Sequence, residues 1–149
     1  MKQEKVLGFL ILSEFVLGIL ATISYHSLEP FLPASLRTYQ AAPGIAAVRF
    51  GVTLLWGLWI VVVVTTIIAW IGLLNLVRAA RPLYLASWVG YFALLLLEGR
   101  TVSAWGALLI EMMTALVGGA ILGMIYFSEL GAKFRPLSVL AGAKKENIA

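Results

Sequence analysis

The chain has 149 residues, of which 62% are hydrophobic and only 12% are charged. A soluble domain is about half apolar and about a quarter charged, so this composition excludes an aqueous globular core and indicates a membrane protein. The length allows one compact unit, residues 1–149, and no second domain. The absence of cysteine excludes disulfides, thiolate metal sites and thiol redox chemistry. The net charge of +4 does not indicate nucleic-acid binding, because the basic residues lie at the ends of the apolar segments.

Four apolar segments follow one another, each close to the length of about 20 residues that a bilayer crossing takes. We therefore predict an all-α polytopic membrane protein, with four transmembrane helices in an antiparallel bundle that forms a single domain. The predicted spans are residues 6–24, 45–76, 82–97 and 102–127.

The first connection, residues 25–44, is the one long loop. Pro30, Pro33 and Pro43 interrupt any continuous helix through it. Residues 34–42 can form about two helical turns with one apolar side, and we predict that this short helix lies on the outer membrane surface. Residues 128–149, after the last span, form a basic tail.

The basic residues are distributed unequally between the two sides of the predicted bundle. One side holds Lys2, Lys5, Arg78, Arg81, Lys133, Arg135, Lys144 and Lys145, and the other holds Arg37, Arg49 and Arg100. Because cytoplasmic loops carry the excess of lysine and arginine, we predict that both termini are cytoplasmic.

Two acidic residues, Glu14 in span one and Glu111 in span four, lie within the apolar segments. Carboxyl groups in lipid are costly, and they usually face the protein interior or a cavity. Each acid is therefore either a proton or cation site or a contact between helices. A glutamate that bonds across helices, or to a partner subunit, is the interpretation we favour.

Small residues share the helical faces of both acids, at 3.6 residues per turn. Small side chains let helix backbones approach closely, so these faces predict helix packing. The predicted packing positions are Gly18 and Ala21 beside Glu14, Ala107, Ala115 and Gly118 beside Glu111, and Gly119 and Gly123 in a GG-x-x-x-G run.

No catalytic motif occurs in the sequence. The metalloprotease, nucleophile-elbow, P-loop and dinucleotide-binding patterns are all missing. His26 is the one histidine, and without a second ligand it is more simply a hydrogen-bonding residue at the membrane surface. We therefore predict no enzyme activity, no cofactor and no metal.

Two family resemblances bear on function. The ARPLYLASW segment at the start of span three, the GAILGMIYFS run at residues 119–128 and the following Phe134 resemble small four-span bacterial membrane proteins that are uncharacterised. That resemblance covers residues 80–134, implies a bacterial cytoplasmic membrane and implies no activity. Four spans with Glu14 in the first also look like the small multidrug resistance transporters, which implies cation and proton binding at Glu14. The long first loop and the second acid depart from that family.

These observations leave two main hypotheses. The first is a non-catalytic accessory or assembly subunit of a larger membrane complex, in contact with lipid and with other membrane subunits or copies of itself. The alternative is a homo-oligomeric transporter or channel that couples to protons or cations through Glu14 and Glu111. We favour the first, because the sequence has no catalytic set and only small soluble portions.

Overall fold

A computed structural model describes residues 3–28, 33–36, 51–98 and 105–134 of the chain. It contains four long helices, which we number in chain order: α1 Gln3–Leu28, α2 Val52–Leu74, α3 Ala80–Glu98 and α4 Trp105–Phe127. A short 3₁₀ helix, Glu129–Lys133, follows α4.

All four helices are long and apolar enough to cross a membrane, and the described residues contain no β-strand. The prediction of an all-α membrane protein with four spanning helices is confirmed. Helices form here even through β-branched runs such as residues 60–68, because a helix satisfies its own backbone groups and lipid offers them no other partner. The hydroxyl of Thr66, for example, donates to the carbonyl oxygen of Val62 at 2.8 Å.

The helix boundaries differ most from the predicted spans at two places. α1 continues to Leu28, four residues into the predicted loop. α2 begins at Val52 and not at residue 45, because Gly51 has φ 80° and ψ 145°, which is outside the helical region. Residues 34–36 are helical, and the rest of the predicted surface helix, residues 37–42, lies outside the described residues.

The four helices form two closely packed pairs. α1 packs along α4, and α2 packs along α3, while contacts between the two pairs are less extensive. An ion pair at 2.9 Å joins Lys133 Nζ, just after α4, to Glu4 Oε1 at the start of α1. Since the end of α4 thus lies beside the start of α1, these two helices are antiparallel.

The core lies toward the membrane face at which α1 begins, and all four helices contribute to it. Its buried side chains are Leu7, Ile11, Ala69, Leu73, Ala80, Tyr84, Ile121, Ile125, Leu130 and Phe134. Large apolar side chains elsewhere on all four helices are exposed, from Phe9 on α1 to Phe127 on α4. Such an exterior fits a protein whose surroundings are lipid tails.

The turn between α2 and α3 depends on a glycine. A Cβ atom at Gly72 would lie 2.6 Å from the Cβ of Ala80, the first residue of α3. Within the turn, Leu76 has a φ of 52°, and the Val77 amide donates to the Gly72 carbonyl oxygen at 2.8 Å. The absence of a side chain at Gly72 therefore lets α3 start directly against the end of α2.

Arg81, at the start of α3, holds the end of α4 in place. Its guanidinium group donates to the carbonyl oxygens of Ile125 and Gly131. It also lies 5.0 Å from the ring centre of Tyr126 and 5.1 Å from that of Phe134. Arginine serves this purpose because its planar group can donate several hydrogen bonds and stack on aromatic rings at once. The contact joins the two helix pairs at the membrane face where α1 begins.

Candidate functional site

The most distinctive site in the described residues is built around Glu14 in the middle of α1. Its side chain is only 4% exposed. The hydroxyl of Tyr84 on α3 lies 2.8 Å from both carboxyl oxygens, and the indole Nε1 of Trp70 on α2 donates to Oε2 at 2.8 Å. One side chain thus receives hydrogen bonds from two other helices, and it connects the α1–α4 pair to the α2–α3 pair.

The donors of this site are held firmly by their own surroundings. Tyr84 is fully buried, one turn after the start of α3. Trp70 packs edge-to-face on Phe15, with the ring centres 5.9 Å apart. Tyrosine and tryptophan suit this role, because each presents an apolar ring to the bundle and a single polar group to the acid.

A close approach between helices lies one turn from Tyr84. The indole ring of Trp88 on α3 rests against Gly118 on α4, and a Cβ atom at Gly118 would overlap its Cζ2 and lie 2.6 Å from its Cε2. Gly118 is buried. The ring of Trp88 therefore occupies the space that a side chain at position 118 would need.

The other small residues predicted as packing positions are placed differently. A Cβ atom at Gly18, Gly119 or Gly123 would meet nothing within 4 Å, so the structure shows no close helix approach at these three glycines. Ala21 is half-buried and Ala115 is exposed, and the side chain of Ala107 lies outside the described residues. A glycine permits close approach, but a neighbouring ring must also be present, as Trp88 is at Gly118.

Glu111 lies in a different environment from Glu14. It is half-buried on α4, and the structure gives it no hydrogen bond or ion pair within the described part of the chain. The residues one turn on either side, Leu108 and Ala115, are exposed. Glu111 is therefore at the edge of the bundle and is not enclosed by it.

The two acids do not lie at one level of the membrane. Gly118 contacts Trp88, which is about one turn beyond Tyr84, the partner of Glu14. Glu111 precedes Gly118 by seven residues, which is a rise of about 10 Å along α4. Because neighbouring helices are antiparallel, this rise leads further from Glu14, in the direction from Tyr84 to Trp88. The bundle therefore does not form a single ion site that Glu14 and Glu111 share.

The site has the chemistry of a hydrogen-bonded helix junction. The described residues hold no group of three or more histidine, cysteine or acidic side chains that could bind a metal ion. The one ion pair within the described ranges, Lys133 with Glu4, is at the membrane face and not at Glu14. In the described part of the bundle Glu14 accepts hydrogen bonds at 2.8 Å from the aromatic residues Tyr84 and Trp70, and it has no cationic partner.

No family model, no curated protein and no solved structure matches this chain. The two resemblances drawn from the sequence therefore stay predictions.

Proposed function

We propose that this chain is a non-catalytic integral membrane protein that acts as an accessory or assembly subunit of a larger membrane complex. The observation that carries this proposal is the contrast between the two acids. Glu14 is satisfied by Tyr84 and Trp70 within the chain, whereas Glu111 lies half-buried at the edge of α4 without a bond to the described residues.

The carboxyl group of Glu111 needs a polar neighbour. Acidic side chains in membrane helices are costly unless they face another polar group or a cavity. Leu108 and Ala115, which flank Glu111 on α4, are exposed and leave room for an incoming helix. Ala115 is also small, as residues at helix–helix interfaces in membranes often are. A helix of another subunit, with a donor opposite Glu111, would meet both requirements.

Site-specific photocrosslinking tests this surface in the native membrane. With a benzophenone side chain in place of Leu108, we expect covalent adducts to a different protein after illumination. The matched control is the same group in place of Phe127, which is 92% exposed on the same helix but four turns from Glu111. We expect that position to give no protein adduct. Adducts at Leu108 to copies of this chain alone would contradict the accessory role.

The proposal includes a membrane orientation. The excess of basic residues at the face where α1 begins favours a cytoplasmic location for both termini, and the likeness to small bacterial proteins favours the bacterial cytoplasmic membrane. Reporter fusions after Lys5, Gln40, Ala80, Arg100 and Lys144 should read inside, outside, inside, outside and inside. An inside signal after Gln40 would exclude this orientation.

A homo-oligomeric proton- or cation-coupled transporter is the second candidate. Its support is the acid at Glu14, deep in the bundle beside a tyrosine hydroxyl. Glutamine keeps the shape of a protonated glutamate but cannot titrate. We expect liposomes that contain the purified chain to show the same proton uptake for wild type and Glu14→Gln. Uptake that disappears in Glu14→Gln, with the protein still folded, would replace the accessory role with transport.

A further inference from the structure

An open apolar groove runs between α1 and α2. Its volume is about 390 Å³. The α1 wall is formed by Gly8, Ile11, Leu12 and Phe15, and the α2 wall by Ile67, Trp70, Ile71 and Leu74. All of the lining residues are apolar or aromatic, and several are exposed to the surroundings of the bundle.

The shape and lining of the groove suit an acyl chain. The stretch from Gly8 to Phe15 is about 10 Å long. A single hydrocarbon chain is narrow enough for this space, and an apolar lining gives it dispersion contacts along its length.

Positive charge lies at the end of the groove nearest the membrane face where α1 begins. Lys5 is about one turn before Gly8 on α1, and Arg78 follows Leu74 in the turn after α2; both side chains are exposed. The nearby carboxylate of Glu4 is paired with Lys133 at 2.9 Å, so its charge is compensated. Basic residues placed where helices meet the membrane surface attract anionic lipid headgroups.

We propose that this groove is a binding site for an anionic phospholipid of that leaflet. One acyl chain lies between α1 and α2, against Trp70, and the headgroup phosphate lies between Lys5 and Arg78. The apolar groove supplies affinity for the chain, and the two cationic residues select the headgroup charge. This site does not depend on the accessory role proposed above, since it uses neither Glu111 nor a second protein.

The test is native mass spectrometry of the full chain in mild detergent, titrated with dioleoyl phosphatidylglycerol or dioleoyl phosphatidylcholine. These lipids have the same acyl chains and differ in headgroup charge. We expect tighter retention of phosphatidylglycerol. Lys5→Gln and Arg78→Gln should each weaken its binding about fivefold, since each cationic residue near a membrane surface contributes about 1 kcal/mol. Neither change should alter retention of phosphatidylcholine.

A second pair of variants tests the groove separately from the charges. A Cβ atom at Gly8 has room, with its nearest neighbour, Leu74 Cδ2, at 3.8 Å. Gly8→Leu should therefore fold while filling the groove, and we expect it to weaken retention of both lipids at least fivefold. Gly119→Leu, at a glycine with open space on α4, is the matched control and should change neither. Equal retention of the two lipids by wild type, or unchanged retention in Gly8→Leu, would overturn the proposal.

Discussion

Glu14→Ala is expected to destabilise the purified protein by about 2–4 kcal/mol, because it removes the acceptor from a buried donor and a half-buried donor at once. Tyr84 is fully buried, and its hydroxyl has Glu14 as its acceptor. Leaving one buried polar group unsatisfied costs about 1–3 kcal/mol. The indole N–H of Trp70 loses its acceptor in the same variant.

Glu14→Gln should be much milder, with a loss of about 1 kcal/mol or less. The amide oxygen can accept from Trp70, and the amide nitrogen can donate to the tyrosine oxygen, since a hydroxyl both donates and accepts. Both links between the helix pairs are thereby kept. The difference in stability between Glu14→Ala and Glu14→Gln therefore measures the hydrogen bonds, because both variants lack the titratable carboxyl group.

Thermal unfolding in detergent measures these differences, and Glu111→Ala is the control. It removes a carboxyl group of the same size from a half-buried position that makes no hydrogen bond to the described residues. We expect a change within about 0.5 kcal/mol, as is usual for substitutions away from the core. A larger loss in Glu111→Ala than in Glu14→Ala would mean that the acid at position 111 is the one that holds the bundle.

The sequence was sufficient to predict the membrane class and the four helices, because each span must satisfy its own backbone within a stretch of apolar residues. That requirement is local, and composition reveals it. The predicted second span begins at residue 45, whereas α2 begins at Val52, because residues 45–50 are mostly apolar and hydropathy places no boundary among them. The helix begins after Gly51 because this residue has a φ of 80°. Hydropathy does not report a backbone conformation of this kind.

The site could be predicted only in part. A mid-membrane glutamate on a helix indicates a polar contact, but not the residue that makes it. The two partners of Glu14 are 56 and 70 residues away along the chain, and no periodicity within one helix connects them. Tyr84 and Trp70 look in the sequence like ordinary members of aromatic spans. Arg81 looks like a basic residue at a membrane surface, although it binds the end of α4.

Adjacent glycines on α4 provide the sharpest test of the helix packing. Gly118 faces Trp88, whereas Gly119, one residue later and rotated by about 100°, has open space around it. We expect Gly118→Leu to destabilise the protein by about 1–3 kcal/mol or more, the typical cost of inserting bulk into a packed interior. Gly119→Leu adds the same side chain to the same helix and should be nearly neutral in detergent.

The expected loss of stability in Gly118→Leu follows from the contacts of Trp88. The new side chain and the indole of Trp88 cannot occupy one space, so either the ring rotates or α3 and α4 separate. The ring centres of Tyr91 and Phe92 lie 5.7 Å and 5.6 Å from that of Trp88, so these rings restrict rotation of the indole. Separation of α3 from α4 would in turn pull Tyr84, one turn away, from Glu14.

The measurement is thermal unfolding of both glycine variants, together with Gly118→Leu in a Trp88→Ala background. Removing the indole creates space for the leucine at position 118. The double variant should therefore recover part of the stability that Gly118→Leu alone loses. Because the two side chains are in contact, their effects should not be additive. Additive losses, or a larger loss for Gly119→Leu than for Gly118→Leu, would show that α4 is rotated relative to the arrangement described. In that case the close approach of Trp88 to Gly118 would not be what sets the spacing of α3 and α4.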